Sequence, residues 1–517
     1  MRSITGPIQN EDCTNFFIAH TIDDTHAATD VIAAWIAGMV RAKIPTLFLN
    51  TAAQRTNYRS EVWEPFWEGF DPGAGNDQPF ISHVDPEARP RFRAMIENML
   101  ALHAQGVDYP DEVATQCRSQ GISPWISVRM NDVHCHDNER HPFHATLWRE
   151  HPELRREGVV GYFAKAFDFG HETVRDHILG LVVETLSRYD VDGIELDFMR
   201  EPYLFSKGRE DAGRPLLTEW VRQVRELCEQ AAAQRGHAIG LAVRVPSSPE
   251  TSVAMGMDVL HWAHDGLIDL LTAAPRWSTA EFDIPIGRWW AALEGVDVAL
   301  AGGLDVRIEA YPGGPLELAT PEHAVGAASQ ILAAGADLVY LFNYFRSEHP
   351  GWPDDQYDRT VAAMGDLKHL VQRPRRHAIT YRDTVAPHER YTPPLPAAGP
   401  AAELALPTGP PPAPEDDVRL ELLLRATPGI GQALEVTVND GPADLDDETP
   451  ASGDLVQLLF TVPSGALHHC AANAIRLESP PQMSWQVEKV EIRIAPGERA
   501  AGEEPSADSA DGDDASP

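Results

Sequence analysis

The chain has 517 residues, with 42 Lys and Arg against 78 Asp and Glu, and a formal charge of −36. So negative a potential repels phosphate backbones and anionic lipid headgroups, which excludes nucleic acid and membrane surfaces as expected partners. A hydrophobic fraction of 43% with 38 Gly and 42 Pro is globular composition, enough for a large core and a second domain. The amino-terminal MRSITGPIQNEDCTN has no basic segment leading into an apolar run, and no later stretch reaches the ~18 apolar residues of a membrane span. Cys13, Cys117, Cys135, Cys228 and Cys470 are odd in number and scattered, which argues against a disulfide framework or a thiolate zinc site. A cytoplasmic protein is the expectation.

From residue 15 to about 372, short β-rich runs alternate with longer helical patterns, the signature of βα units around a parallel sheet. The expected strands are 15–23 (NFFIAHTID), 44–51, 122–131, 191–199, 238–246, 267–275, 296–305 and 336–345. Eight such runs make a (β/α)8 barrel. The intervening segments, among them ATDVIAAWIAGMVRAK and ETVRDHILGLVVETLSRY, carry apolar residues at three-and-four spacing. Two connections, roughly 70 residues after the second strand and roughly 60 after the third, far exceed an ordinary βα loop of about 2–6. They hold Trp63, Phe66, Trp67, Phe70 and Phe80 in the first, and His134, His136, His141, Phe143, His144 and Trp148 in the second. Both leave the carboxyl ends of strands, where barrel enzymes place their sites, and are expected to wall a substrate cleft.

The barrel is expected over 1–373. A connector follows at 374–415, proline-rich from about 392, then alternating apolar runs over 416–496 that predict a small antiparallel β-sandwich. The last stretch, 497–517, is acidic with almost no apolar bulk and is expected to be disordered. Beyond residue 392 only Phe460 and Trp485 are aromatic. That is too few for a sugar-stacking platform, so a structural role is expected for the sandwich.

The segment RYDVDGIELDFMREP (188–202) carries the most chemistry. Side chains alternate along a strand, so Ile194, Leu196 and Phe198 should meet the helices while Gly193, Glu195 and Asp197 point into the barrel. By the same alternation Ser127, Arg129 and Asn131 point inward from the third strand and Arg244 from the fifth. Two arginines and two carboxylates therefore share one lumen, and the deeper Glu195 is expected to pair with Arg129 or Arg244, leaving Asp197 at the rim for catalysis. Other strand-end candidates are His20 and Asp23, Asp132 with His134 and His136, Arg200, Trp277, Asp305 with Glu309, and Asn343. The histidines of HCHDNERHPFH leave open a metal-dependent hydrolase, since imidazoles with a carboxylate can hold zinc.

The run DVDGIELDFMREP resembles the fourth-strand signature of glycosyl-hydrolase-like family 10 proteins, and SVRMNDVH with WREHPELRREG is similar to their third-strand region. The resemblance spans residues 15 to about 372 and implies a barrel hydrolase acting on an oligo- or polysaccharide without a cofactor. Glycoside cleavage needs one carboxyl to protonate the leaving oxygen and a second carboxylate on the sugar or water. The expected catalytic residues are Asp197 for the second role, with Asp305, Glu309, Glu201 and Asp132 as candidate acids, and Glu195 beneath them. Trp67, Trp277, His20, Asp23, Arg129, Asn131, Asp132, His134, His136, Arg200, Arg244 and Asn343 are the expected substrate-binding set. A barrel that binds sugar without cutting it is the non-enzymatic alternative.

Overall fold

The computed structural model describes residues 4–23, 25–349 and 351–497. The acidic tail expected over 497–517 lies, apart from Gly497, outside the described residues. Eight parallel strands close a barrel: β1 (Ile8–Glu11), β2 (Thr46–Asn50), β3 (Ser123–Arg129), β4 (Gly193–Asp197), β5 (Gly240–Pro246), β6 (Leu270–Ala274), β7 (Ala299–Leu304) and β8 (Leu338–Phe342). β1 pairs with both β2 and β8, so no edge is left open.

Seven of these strands lie inside their expected runs, and the first does not. The run at 15–23 forms a short helix, Asn15–Ala19, whose Phe16 and Phe17 are buried against Tyr109. The first strand is IQNE, four residues with one aliphatic side chain. It is made a strand by its two neighbours, because a short polar segment carries no periodic signal of its own.

Alternation sorts the other side chains as expected. Leu47 and Leu49, Ile126 and Val128, Ile194 and Leu196, Leu241 and Val243 join the core outside the barrel wall. Ile8, Phe48, Trp125, Ala242, Leu270, Ala301, Leu338, Tyr340 and Phe342 pack together inside it. The lumen is floored by Trp125, stacked on Phe48 at 5.0 Å. Its ring needs space on both neighbouring strands: a Cβ on Gly193 would come within 2.2 Å of it, and one on Gly240 within 2.3 Å. The aromatic floor pushes polar side chains into the upper layers, toward the strands' carboxyl ends.

The carboxyl-terminal unit is a β-sandwich of two antiparallel sheets. The segment 374–415 is more than a connector: Arg375–Ala378 pairs with Trp485–Ala495, and Ala401–Pro407 pairs with Ala472–Glu478. The prolines that suggested an extended linker fall between and after these strands, Pro393 to Pro400 before the second and Pro410 to Pro414 beyond it. Phe460 and Trp485 are buried in the sandwich. A buried His323–Glu491 contact at 3.0 Å ties it to the barrel helix Pro321–Ala333, and Lys489 bonds Glu317 at 2.7 Å. Among the described residues no helix is long and apolar enough to cross a membrane.

Gly193→Ala should lower the denaturation midpoint by an amount worth about 1–3 kcal/mol, the usual range for overpacking a full core. Urea titration followed by tryptophan fluorescence measures it. A midpoint equal to that of the parent would mean that the floor has slack.

Candidate active site

The upper lumen contains a buried ion pair. Strand register sets Asp197 of β4 opposite Arg244 of β5, and Glu195 opposite Ser127 and Ala242. Arg244 accordingly makes a two-point contact with Asp197, Nε to Oδ1 at 2.8 Å and Nη2 to Oδ2 at 3.0 Å. The guanidinium lies 3.9 Å over the Phe342 ring, and the Met199 N–H also donates to Asp197. Glu195 takes hydrogen bonds from Ser127 Oγ at 2.6 Å and Tyr340 Oη at 2.9 Å, while Oε1 is buried without a partner. The expected pairing is therefore corrected: the arginine goes to Asp197, and Glu195 is held by hydroxyls. Burial first, and then the nearby Asp197 charge, push the Glu195 carboxyl up to about 8, so it carries a proton at neutral pH.

A second network joins the ends of β1, β3 and β4. Arg129 turns toward Asp12, just past β1, and reaches Asp132 at 3.2 Å. Asp132 also accepts from His134 Nδ1 at 2.7 Å, and Arg200 Nη2 meets His134 Nε2 at 2.6 Å. Burial works against ionisation of Asp12, but the Arg129 charge and the Thr14 bonds outweigh it and hold the carboxyl well below its ordinary range.

The open cleft lies beside these networks, with a volume of about 440 Å³. Asp12, Thr14 and Asn15 enter it from the end of β1, Arg91, Phe92 and Met95 from the first long insertion, and Cys135, His141 and Phe143 from the second. Trp277 follows β6, Asp305 and Arg307 follow β7, and Asn343 and Phe345 follow β8. Arg307 lies 4.3 Å over Trp277, and Asp383 accepts the N–H groups of Arg276, Trp277 and Ser278 at 2.8–2.9 Å, fixing that loop. Asp305 is 3% exposed and takes a hydrogen bond from the Arg307 N–H. Burial is the main force raising its carboxyl to about 7, aided by the charge of Asp383. Of the three carboxyls that line the cleft, Asp12, Asp305 and Glu348, Asp12 thus stays ionised and Asp305 is half protonated at neutral pH.

Of the expected site residues, Asp305, Trp277 and Asn343 line this cleft. Asn343 adopts φ +53°, with a buried Oδ1 that has no partner. Arg129, Asp132, His134 and Arg200 form the adjoining network, and Asp197, Glu195 and Arg244 lie in the lumen. Asn131 clamps a loop through two bonds to the Phe167 backbone, and His136 packs edge-on to Tyr162 at 4.6 Å. Trp67 is buried against His103 on the barrel's flank, and Trp63 stacks on His177, so these insertion aromatics pack the fold instead of facing the cleft. His20 bonds the Phe16 carbonyl, and exposed Asp23 closes a turn with His26. Glu201 is consumed by Tyr162 and Arg276, and Glu309 by Tyr381 and Gly313 N–H.

The histidine loop is dispersed: His144 stacks on Trp148 at 3.9 Å, whereas His134 is drawn to Asp132. Among the described residues no group of three or more His, Cys, Asp or Glu is arranged to hold a metal ion. Asp12, Asn15, Arg91 and Phe345 were missed in the sequence. Asp12 could have been found only by placing β1 correctly.

No protein-family model matches the chain, and no curated protein sequence does. Solved structures similar to it include α-L-fucosidase isoenzyme 2 from Paenibacillus thiaminolyticus, at 12% identity and a TM-score of 0.41, over 71% of this chain and 49% of that one. The GH36 α-galactosidase AgaA of Geobacillus stearothermophilus is 12% identical with a TM-score of 0.36, over 94% of this chain and 56% of that one. The glycoside hydrolase domain of PgaB from Bordetella bronchiseptica is 9% identical with a TM-score of 0.40, over 70% and 98%. The chain spans about half the length of the first two.

The two lumen carboxyls should respond oppositely to neutralisation. Because Glu195 titrates near 8 when folded against an ordinary 4.5, the stability it contributes is complete below about 4.5 and is lost as pH rises through about 8. Glu195→Gln keeps the shape and the neutral state, so its stability relative to the parent should rise from pH 5 to pH 8. Asp197→Asn strands the buried Arg244 charge and should cost roughly 3–5 kcal/mol. Chemical denaturation at both pH values reads these out, and a Glu195→Gln difference independent of pH would contradict the protonated assignment.

Proposed function

We propose that the protein is a glycoside hydrolase whose reaction is carried by Asp305 and Asp12 in the cleft above β1, β7 and β8. The observation that carries this reading is that a buried carboxyl raised to about 7, Asp305, and a carboxylate paired with Arg129, Asp12, line one cleft. Asp305, near 7, holds a proton that it can give to a glycosidic oxygen as the bond to the anomeric carbon breaks. Asp12, kept ionised by Arg129, faces the positive charge that develops on the sugar ring. Water then adds at the anomeric carbon and its proton returns to Asp305, which restores the acid.

The lining suits a carbohydrate. Trp277, Phe92, Phe143 and Phe345 offer apolar faces, while Asn343, Asn15, Thr14 and Arg307 offer polar edges. The likeness of β3 and β4 to glycosyl-hydrolase-like family 10 proteins supports the same reading. Asp197 becomes a positioning residue, since it is buried in the lumen against Arg244 and is not among the residues that line the cleft. All five cysteines are free, which fits a reducing, cytoplasmic setting.

On any oligosaccharide that the protein hydrolyses in a broad glycan panel, Asp305→Asn should reduce kcat by about 10²–10⁴-fold with the fold intact. The parent's kcat/KM should be flat on the acid side and fall as pH rises through about 7, as the acid loses its proton. Asp12→Asn should lower kcat comparably. Near-normal turnover by Asp305→Asn would contradict the assignment, and a panel without turnover by the parent would favour a barrel that binds sugar without cutting it.

A further inference from the structure

Seven strands of the barrel present apolar side chains, or glycine, to the helix layer. β1 does not: its outward positions are Gln9 and Glu11, beside the outward Leu47 and Leu49 of β2. Both side chains are buried, 2% exposed each. They form the floor of a cavity of about 450 Å³ between β1, the helix Ala28–Arg41 and the segment following β8. Its walls are largely apolar, with Trp35, Met39, Ile44, Phe345 and Tyr357 among them.

Apart from the proton that burial lets Glu11 keep below about pH 8, the floor has acceptors without donors. Gln9 Oε1 is buried with no partner. Glu11 receives one bond, from Asn15 Nδ2 to Oε1 at 2.7 Å, and its other oxygen has no hydrogen-bond partner among the described residues. Leaving such atoms unpaired costs free energy, and an apolar chamber gives water few further contacts. The arginines at the rim are already engaged, Arg346 with Asp354 at 3.0 Å and with Asp358, and Arg41 with Asp358 at 3.8 Å, while His20 bonds the Phe16 carbonyl.

We propose that this cavity is a binding site for a small amine with an apolar body, its ammonium group donating to Gln9 Oε1 and the Glu11 carboxylate. An ammonium has three donors and the charge that balances a buried carboxylate, whereas an alcohol has one donor and a carboxylate none. The body lies against the rings of Trp35 and Tyr357. Burial raises the Glu11 carboxyl to about 8 in the free protein, so the amine takes the place of its proton. The chain's charge of −36 draws cations toward the site. Asn15 and Phe345 line both this cavity and the cleft, so the two share a wall. The proposal does not depend on hydrolysis of a glycan.

Calorimetric titration of the full chain with n-hexylamine, hexan-1-ol and hexanoate tests it. Saturable one-to-one binding of the amine is expected, with the alcohol and the carboxylate weaker by roughly tenfold or more. Glu11→Gln should weaken the amine by about the same factor and leave the alcohol unchanged. Gly38→Leu fills the chamber from the helix, where a new Cβ meets only the tip of Arg41 at 3.4 Å, and should abolish amine binding while strengthening the helix. Absence of saturable amine binding to the parent, equal affinity for hexan-1-ol, or unchanged amine binding in a folded Gly38→Leu protein would each overturn the proposal.

Discussion

The buried Arg244 guanidinium sets the terms for the rest of the barrel. A cation with no solvent exposure, pressed on Phe342, must have a carboxylate in contact or forfeit several kcal/mol. Strand register offers it Asp197 and denies it Glu195. That one pairing uses up the carboxylate at the end of β4, while burial, aided by the Asp197 charge, keeps a proton on the carboxyl below it. Ionised chemistry is thereby moved outward to the loops after β1 and β7, where Arg129 holds Asp12 charged and burial keeps Asp305 near neutrality.

The second domain contributes to the same cleft at a distance. The segment between the barrel and the first full sandwich strands crosses the barrel's carboxyl-terminal side, where Asp383 caps three consecutive amides around Trp277 and Tyr203 donates to the Val385 carbonyl. The sandwich anchors that segment through Arg375–Ala378 and rests on the helix Pro321–Ala333. Its aromatic side chains, Phe460 and Trp485, are spent on its own core.

Period-two alternation was enough to read which side chains of β3, β4 and β5 enter the lumen, because one face of each strand is uniformly aliphatic. It could not say who pairs with whom, since that depends on the stagger between neighbours, and a two-residue difference decides between Glu195 and Asp197. The first strand was illegible for a related reason. IQNE has no apolar face, whereas the nearby NFFIAHTID is rich in β-forming residues yet folds as a short helix under Tyr109. Misplacing that strand hid Asp12 and Glu11 together. The insertion aromatics misled in the opposite direction: Trp63 and Trp67 look like sugar platforms in a sequence, but a long connection must first bury its own apolar surface to hold a shape.

The account turns on Asp305 titrating near neutrality while Asp12 stays ionised in the same cleft. Carboxyl NMR on protein labelled only in its aspartates reads this directly and leaves Glu195 and Glu11 silent. The prediction is a signal titrating at about 7 that vanishes in Asp305→Asn, together with an Asp12 signal, identified by Asp12→Asn, that is ionised throughout the neutral range. An Asp305 signal titrating in the ordinary carboxylate range near 3.8 would contradict the account.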